Sequence, residues 1–218
     1  MTSMHRAGSQ SARWRTAAAW LLLLLMLVPP VRRTIESSMT AHMMIQYPSL
    51  MLVGALLAER LPAHWLSHAQ RWNELGIAGL VGSALTLAVL MIPRVLDLAL
   101  VDGHVEALKL IALVASGTAL RLSWQRAGLV VQAFYLGNIL PMTAMAGMLF
   151  QDSAFRVCNA YRLDDQQDLG LALVVTAIGI ATIWSLHVGW RRAHMGVTGR
   201  PLSTDGARLE PHRLPQRR

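Results

Sequence analysis

The sequence predicts an all-α, polytopic integral membrane helix bundle of about six transmembrane helices with both termini cytoplasmic. Three observations predict it. Apolar residues make up 54% of the 218-residue chain and charged residues only 15%, which is a membrane composition rather than that of a soluble domain. The apolar residues come in blocks with the charges confined between them, instead of recurring every third or fourth position as a water-facing helix requires. Basic residues are also spread unevenly over the connecting segments, and lysine and arginine near span ends are held back on the cytoplasmic side.

Measured against the roughly 20 residues needed to cross the hydrocarbon layer, the blocks give six spans. They are Thr16 to Val31, Met39 to Ala58, Leu75 to Ile92, Val105 to Leu122, Gly128 to Phe150 and Leu169 to Trp190. The first follows Arg6, Arg13 and Arg15 like a secretory signal. Pro29, Pro30, Arg32 and Arg33 come directly after it with no small-x-small cleavage site, so it reads as an uncleaved anchor. Residues 1–15 are then a basic cytoplasmic N-terminus, 16–190 the bundle, and 191–218 a disordered basic cytoplasmic tail poor in apolar residues.

With the amino terminus inside, Arg60, Arg71, Arg121, Arg126 and the arginines of the tail are cytoplasmic, while the outer loops hold only Arg32, Arg33, Arg94, Arg156 and Arg162. The net charge of +8 is therefore a topology signal. Nucleic acid is excluded as a partner, because the basic tail has no aromatic residue on which bases could stack. Glu36, Asp97, Asp102, Glu106, Asp152, Asp164, Asp165 and Asp168 all fall on the outer side, so chemistry is expected there. Gly76, Gly79, Gly82 and Ser83 permit close helix packing in the third span. Gly137 and Pro141 should bend the fifth. Cys158 is the only cysteine, which rules out an internal disulfide and a C-x-x-C metal site.

Candidate functional residues gather at the outer ends of the spans. Met39 and His42 share a helix face, with Met43 and Gln46 flanking it. Thioethers and imidazole together suit Cu(I), while the plain alternative is a methionine-packed core around a hydrogen-bonded histidine. His104 and Glu106 open the fourth span, and Lys109 lies one turn deeper, where an ammonium needs a carboxylate. Glu106 on the neighbouring face, and Asp97 and Asp102 in the loop before it, are the candidate partners. Met145 and Met148 approach the same depth from the fifth span. Asp164, Asp165, Gln166 and Gln167 crowd the start of the sixth, where carboxylates cap free amides and complement the positive helix end.

The order of four short stretches carries a family resemblance. An H-M-x-x-Q-like run at His42, then MIPRVLDLAL with Pro93 and Asp97, then GHVEALK, and finally YRLDDQQDLG resemble the CtaG-type cytochrome c oxidase assembly proteins. The likeness covers roughly Met39 to Trp190. It departs from the family pattern at Met91 and Leu108, where that pattern has histidines. The resemblance implies a multi-pass protein of the bacterial inner membrane, not an enzyme, that assists maturation of a haem-copper oxidase. It implies copper at a periplasmic pocket of His42, His104, Met39, Met43 and Met148. Asp97, Glu106, Lys109, Asp164, Asp165 and Gln166 would form a supporting polar cluster. Partners would be oxidase subunits or copper chaperones, with membrane lipid around the bundle. Two other classes stay open: a b-type haem subunit with His42 and His104 as axial ligands, and a small transporter, which no inverted repeat supports.

Overall fold

The structure, a computed structural model, describes residues 3–153, 155–158 and 160–197, without the side chains of residues 3–12, 68, 70 and 195–197. Among the described residues every regular element is helical. In order these are α1 (Ser3–Leu27), α2 (Pro29–Glu36) and a single turn α3 (Met39–Ala41), which runs through a π turn (His42–Gln46) into α4 (Tyr47–Leu57). A 3-10 turn (Ala58–Arg60) leads to α5 (Ala63–Trp72), α6 (Ile77–Leu90), α7 (Pro93–Val101), α8 (Gly103–Trp124), α9 (Leu129–Asp152) and α10 (Leu163–Val197). The chain divides into two compact units, Met1–Ala181 and Thr182–Arg218. The first holds the packing described below; the described part of the second, 182–197, is helical. Helix therefore continues through 191–197, where a disordered tail was expected, and the rest of that expected tail lies outside the described residues.

Among the described residues three helical segments, Met39–Arg60, Leu129–Asp152 and Leu163–His194, are long and apolar enough to cross a membrane, and the number reaches five if two bent pairs each count as one span. The expected six spans are not reproduced. One cause is proline. Pro29 and Pro93 each open a new helix, where a missing N–H costs no hydrogen bond, and the residue before each is driven extended, with ψ of 121° at Val28 and 122° at Ile92. The chain turns by 72° at the first break and 74° at the second. The other cause is α8, the expected fourth span. Its apolar stretch from Leu110 to Leu120 covers only about 17 Å at 1.5 Å per residue, well short of a hydrocarbon core of about 30 Å. Glu106, Lys109 and Arg121 bracket that stretch, so α8 depends on neighbouring helices rather than on its own apolarity.

Those neighbours are α4 and α6, which both pack on α8. The α4–α8 contact is backbone to backbone. A Cβ on Gly54 would collide with the Val114 carbonyl and one on Gly117 with the Met51 backbone, while the Thr118 hydroxyl donates to the Gly54 carbonyl at 2.9 Å. Small residues at such crossings allow close approach where lipid supplies no hydrophobic drive. The two helices run in the same direction, so His42 meets Lys109 at one end of the pair and Glu59 meets Arg121 at the other. At α6, the backbone enters through Gly76 in the left-handed region, φ 74°, which a side chain would disfavour.

Helix α9 stands apart. It runs unbroken through Pro141, and its most apolar window has none of its residues buried. Its contacts with the rest include Tyr135, whose hydroxyl is 3.2 Å from that of Ser83, Gln132, whose amide donates to the Trp124 and Ala127 carbonyls, Phe150 in the apolar cluster, and Gly147, which lies against Gly170 of α10 so closely that neither position has room for a Cβ. Replacing Gly117 by leucine should abolish the α4–α8 packing and with it the folded, monodisperse protein in detergent. Leucine at Gly82, which faces open space, should leave the elution profile and melting temperature unchanged. Equal behaviour of the two variants in size-exclusion chromatography would contradict this packing.

Candidate functional site

The site begins with a widened turn. Pro48 has no N–H to donate to the carbonyl four residues back, and its ring crowds that carbonyl. The turn immediately before it is π rather than α, the form in which single-turn bulges appear inside helices, often at functional positions. Widening the turn brings His42, Met43 and Gln46 all to the buried side, beside Met39 and Tyr47. Tyr47 anchors the arrangement from below, donating its hydroxyl to the Leu90 carbonyl at 3.2 Å in the last turn of α6.

Lys109 reaches into this turn from α8 and is 1% exposed. Removing an ammonium from water costs several kcal/mol, recovered only when charge and hydrogen bonds are both supplied. Both are present. The Nζ donates to Glu36 Oε1 at 3.3 Å and to Gln46 Oε1 at 3.2 Å, and lies 3.1 Å from His42 Nε2. Three protons meet three acceptors. Gln46 also donates through Nε2 to Glu36 Oε1 at 3.2 Å, which ties the π turn to the end of α2.

The lysine fixes the histidine's tautomer. An ammonium has no acceptor, so His42 Nε2 must receive the Lys109 proton and Nδ1 must carry the ring proton. That proton is directed at the Tyr161 hydroxyl, 2.7 Å away. Tyr161 belongs to the loop before α10, where burial first, and then the nearby Glu36 carboxylate, raise its phenol above the ordinary range. It therefore remains a hydroxyl. Around the rim of the network, Arg32 Nη1 lies 2.7 Å from Glu106 Oε1 and Arg32 Nε 3.5 Å from Glu36 Oε2. Two cations, Arg32 and Lys109, thus stand against two carboxylates, Glu36 and Glu106.

The sequence expectation for Lys109 is corrected in one respect. Its ion-pair partner is Glu36, 73 residues upstream, while Glu106 pairs with Arg32. Asp97 instead accepts from the Ala160 backbone at 3.4 Å, and Asp102 caps α8 by accepting from the His104 amide at 2.8 Å. Arg32, Glu36 and Tyr161 are the members that sequence reasoning passed over. Arg32 and Glu36 do carry a signal, an i, i+4 ion-pair spacing in a segment opened by two prolines; Tyr161 opens the YRLDDQQDLG stretch, but nothing in the sequence points to its pairing with His42.

The polar residues at the start of α10 brace the loop. Gln166, 2% exposed, accepts from the Val157 amide at 2.8 Å and donates to the Phe150 carbonyl at 3.1 Å. Asp165 accepts from the Ser38 hydroxyl at 3.1 Å, and its carbonyl receives the Thr40 hydroxyl at 3.3 Å. Asp164 is exposed and, among the described residues, meets Arg162 at 3.4 Å. Cys158 is buried in the apolar cluster with Met39, Met43, Tyr47 and Tyr161. Burial, and then the charge of Asp97, push its thiol up to about 11.

The remaining expected ligands are placed elsewhere. His104 is exposed, because it precedes Glu106 by two residues and so points about 200° around the helix from it. Met148 is 55% exposed and Met145 70%, outside the cluster that holds Met39 and Met43. Among the described residues no group of three His, Cys, Asp or Glu side chains converges on a point, and both His42 nitrogens are engaged. As folded, these residues do not fit a copper site. They do not fit bis-histidine haem ligation either, for the same reason at His42. No protein-family model, curated protein or solved structure matches the chain.

The energetics are open to a double-mutant cycle. Glu36→Gln leaves a buried ammonium without a counter-charge, and Lys109→Met leaves the Glu36 carboxylate leaning on Arg32 alone. Each should destabilise by about 3–5 kcal/mol in reversible denaturation. The double variant should recover a large part of that loss, since a neutral pair avoids the desolvation of both charges. Additive single losses would show that the two groups do not interact.

Proposed function

We propose that this chain is a membrane protein of haem-copper cytochrome c oxidase maturation, as its likeness to the CtaG-type assembly proteins implies. The observation that carries the proposal is convergence. The four stretches on which the likeness rests are far apart in sequence, yet each contributes to one end of the bundle: His42 and Gln46, then Asp97, then Glu106 and Lys109, then Tyr161, Asp165 and Gln166. Residues that recur in a fixed order for a shared task are expected to meet in space, and these do.

The proposal gives the centre a different part from the one the likeness suggests. His42 holds Lys109 and Tyr161, so the chain is read as a partner of copper-handling proteins rather than as the copper ligand itself. Oxidase subunits or copper chaperones would dock where His104, Met145 and Met148 are exposed, thioethers and imidazole being soft donors suited to Cu(I) during a transfer. The buried network would keep the loop around Tyr161 and the start of α10 in one arrangement for that contact. No turnover is involved, and the proposal assigns no enzymatic activity. The distribution of arginines supports a periplasmic position for this end, and the likeness implies the bacterial inner membrane.

One competing reading has an observation in its favour. Each hydrogen-bonding group of Lys109 and both ring nitrogens of His42 are satisfied, as they would be in a purely structural polar clamp. Deleting the gene separates the two. Under copper limitation the deletion strain should lose cytochrome c oxidase activity and oxidase-bound copper. The wild-type gene should restore both, and a His104→Ala, Met148→Leu gene should restore them only in part while producing normal amounts of protein. Unchanged oxidase activity and copper content in the deletion strain would refute the assembly role and leave the clamp.

A further inference from the structure

The end of α8 away from Lys109 holds a second charged feature, which the oxidase reading does not use. A cavity of about 210 Å³ opens there, lined by Glu59, Asn73, Arg121, Gln125 and Arg126, with Leu66 of α5 along one wall. Its volume is that of about seven liquid water molecules at roughly 30 Å³ each, enough for a phosphate with a small alcohol. The floor is fixed: the Asn73 amide donates to the Ser123 hydroxyl at 2.8 Å and accepts from the Gly79 backbone at 3.2 Å.

The charge of this cavity is positive. Glu59 is its one carboxylate, and it is already shared between Arg15 at 2.9 Å and Arg121 at 3.3 Å. Arg60 lies next to it in sequence and is held through Nε by the Thr16 hydroxyl at 3.0 Å. Arg126 is exposed and makes no ion pair among the described residues. Two arginines, Arg121 and Arg126, line the cavity against its one carboxylate, which Arg15 also reaches from α1.

Two further observations place a bilayer surface here. Trp14, Trp65 and Trp72 are 75%, 62% and 77% exposed, and indole rings at helix ends collect at the headgroup level. On α5, Leu66 and Ala69 face the cavity at i, i+3 while Trp65 and Trp72 lie outside it, the pattern of a helix lying along a membrane surface. An apolar groove of about 580 Å³, lined by Leu120, Trp124, Leu136, Ile139 and Leu140, shares Arg121 with the cavity. A polar cavity and an apolar groove thus meet at a single arginine.

We propose that this cavity binds the phosphate headgroup of an anionic phospholipid, with an acyl chain lying in the adjoining groove. Basic pockets between membrane helices bind such headgroups. Arg126 and the free edge of the Arg121 guanidinium would hold the phosphate oxygens, for which a guanidinium fork is well matched. A free phosphate ion could use the same arginines but would leave the groove unfilled.

The test is retention of added lipid by the purified full-length protein in detergent, read by native mass spectrometry. Phosphatidylglycerol should be retained over phosphatidylcholine. Arg126→Gln should weaken that retention about fivefold, the effect of one surface arginine, and Arg126→Glu should weaken it further. Arg94→Gln removes the same charge from an exposed site at the other end of the bundle and should have no effect. Millimolar inorganic phosphate should not displace the lipid. Equal retention of the two lipids, insensitivity to both Arg126 variants at an unchanged melting temperature, or full displacement by phosphate would each overturn the proposal.

Discussion

A lysine ammonium sealed inside a membrane bundle is the constraint around which this structure is arranged. At 1% exposure Lys109 has no water to fall back on, and an unpaired charge at that depth is not tolerated. Its requirements reach beyond α8. They call for Glu36 at the end of α2, for Gln46 and His42 on one π turn, and through His42 for the hydroxyl of Tyr161. The bend after α1, the turn before Pro48 and the loop before α10 are therefore held to one another by polar groups as well as by the apolar cluster of Met39, Met43, Tyr47, Cys158 and Tyr161. Gln166 extends the same logic, tying the loop to the end of α9.

The same network bears on what the protein does. Soft donors are present at the same end of the bundle, but the imidazole best placed to bind a metal is saturated by a cation the chain provides for itself. Balanced charges, Arg32 and Lys109 against Glu36 and Glu106, suit a centre that has to persist in low dielectric. Such a centre fixes the shape of the surface around it. The opposite end of the bundle is arranged differently. Its arginines outnumber the acceptors beside them, and that excess is available to lipid phosphates.

Much of this was legible in the sequence, and the rest fails for identifiable reasons. The helical membrane class follows from the clustering of apolar residues. His42, Lys109 and Gln166 are visible because polar groups at helical depth need partners. Which partner each takes is not visible. Glu36 reaches Lys109 only because Pro29 turns the chain by 72°, and sequence spacing contains no information on that angle. Glu106 is the natural choice from its place three residues before the lysine, yet Arg32 occupies it. The expected pairing of His42 with His104 fails on helix geometry, since a two-residue offset from Glu106 turns His104 to the surface. Glycines behaved unevenly. Gly79 does lie close to Ser123 and the Ala119 carbonyl, whereas Gly82 in the same helix touches nothing, and the tightest contacts fall at Gly54 and Gly117.

The claim that Lys109 donates to His42 Nε2 is tested most directly by the ring nitrogens of that histidine. Nitrogen-15 solid-state NMR of the histidine-labelled protein in lipid, assigned by loss of the signal in His42→Gln, reports which nitrogen carries the proton. The structure predicts a neutral ring protonated at Nδ1, with Nε2 bare and accepting, and a change at Nε2 when Lys109 is replaced by methionine. A ring protonated at Nε2, or one indifferent to the loss of Lys109, would contradict the account.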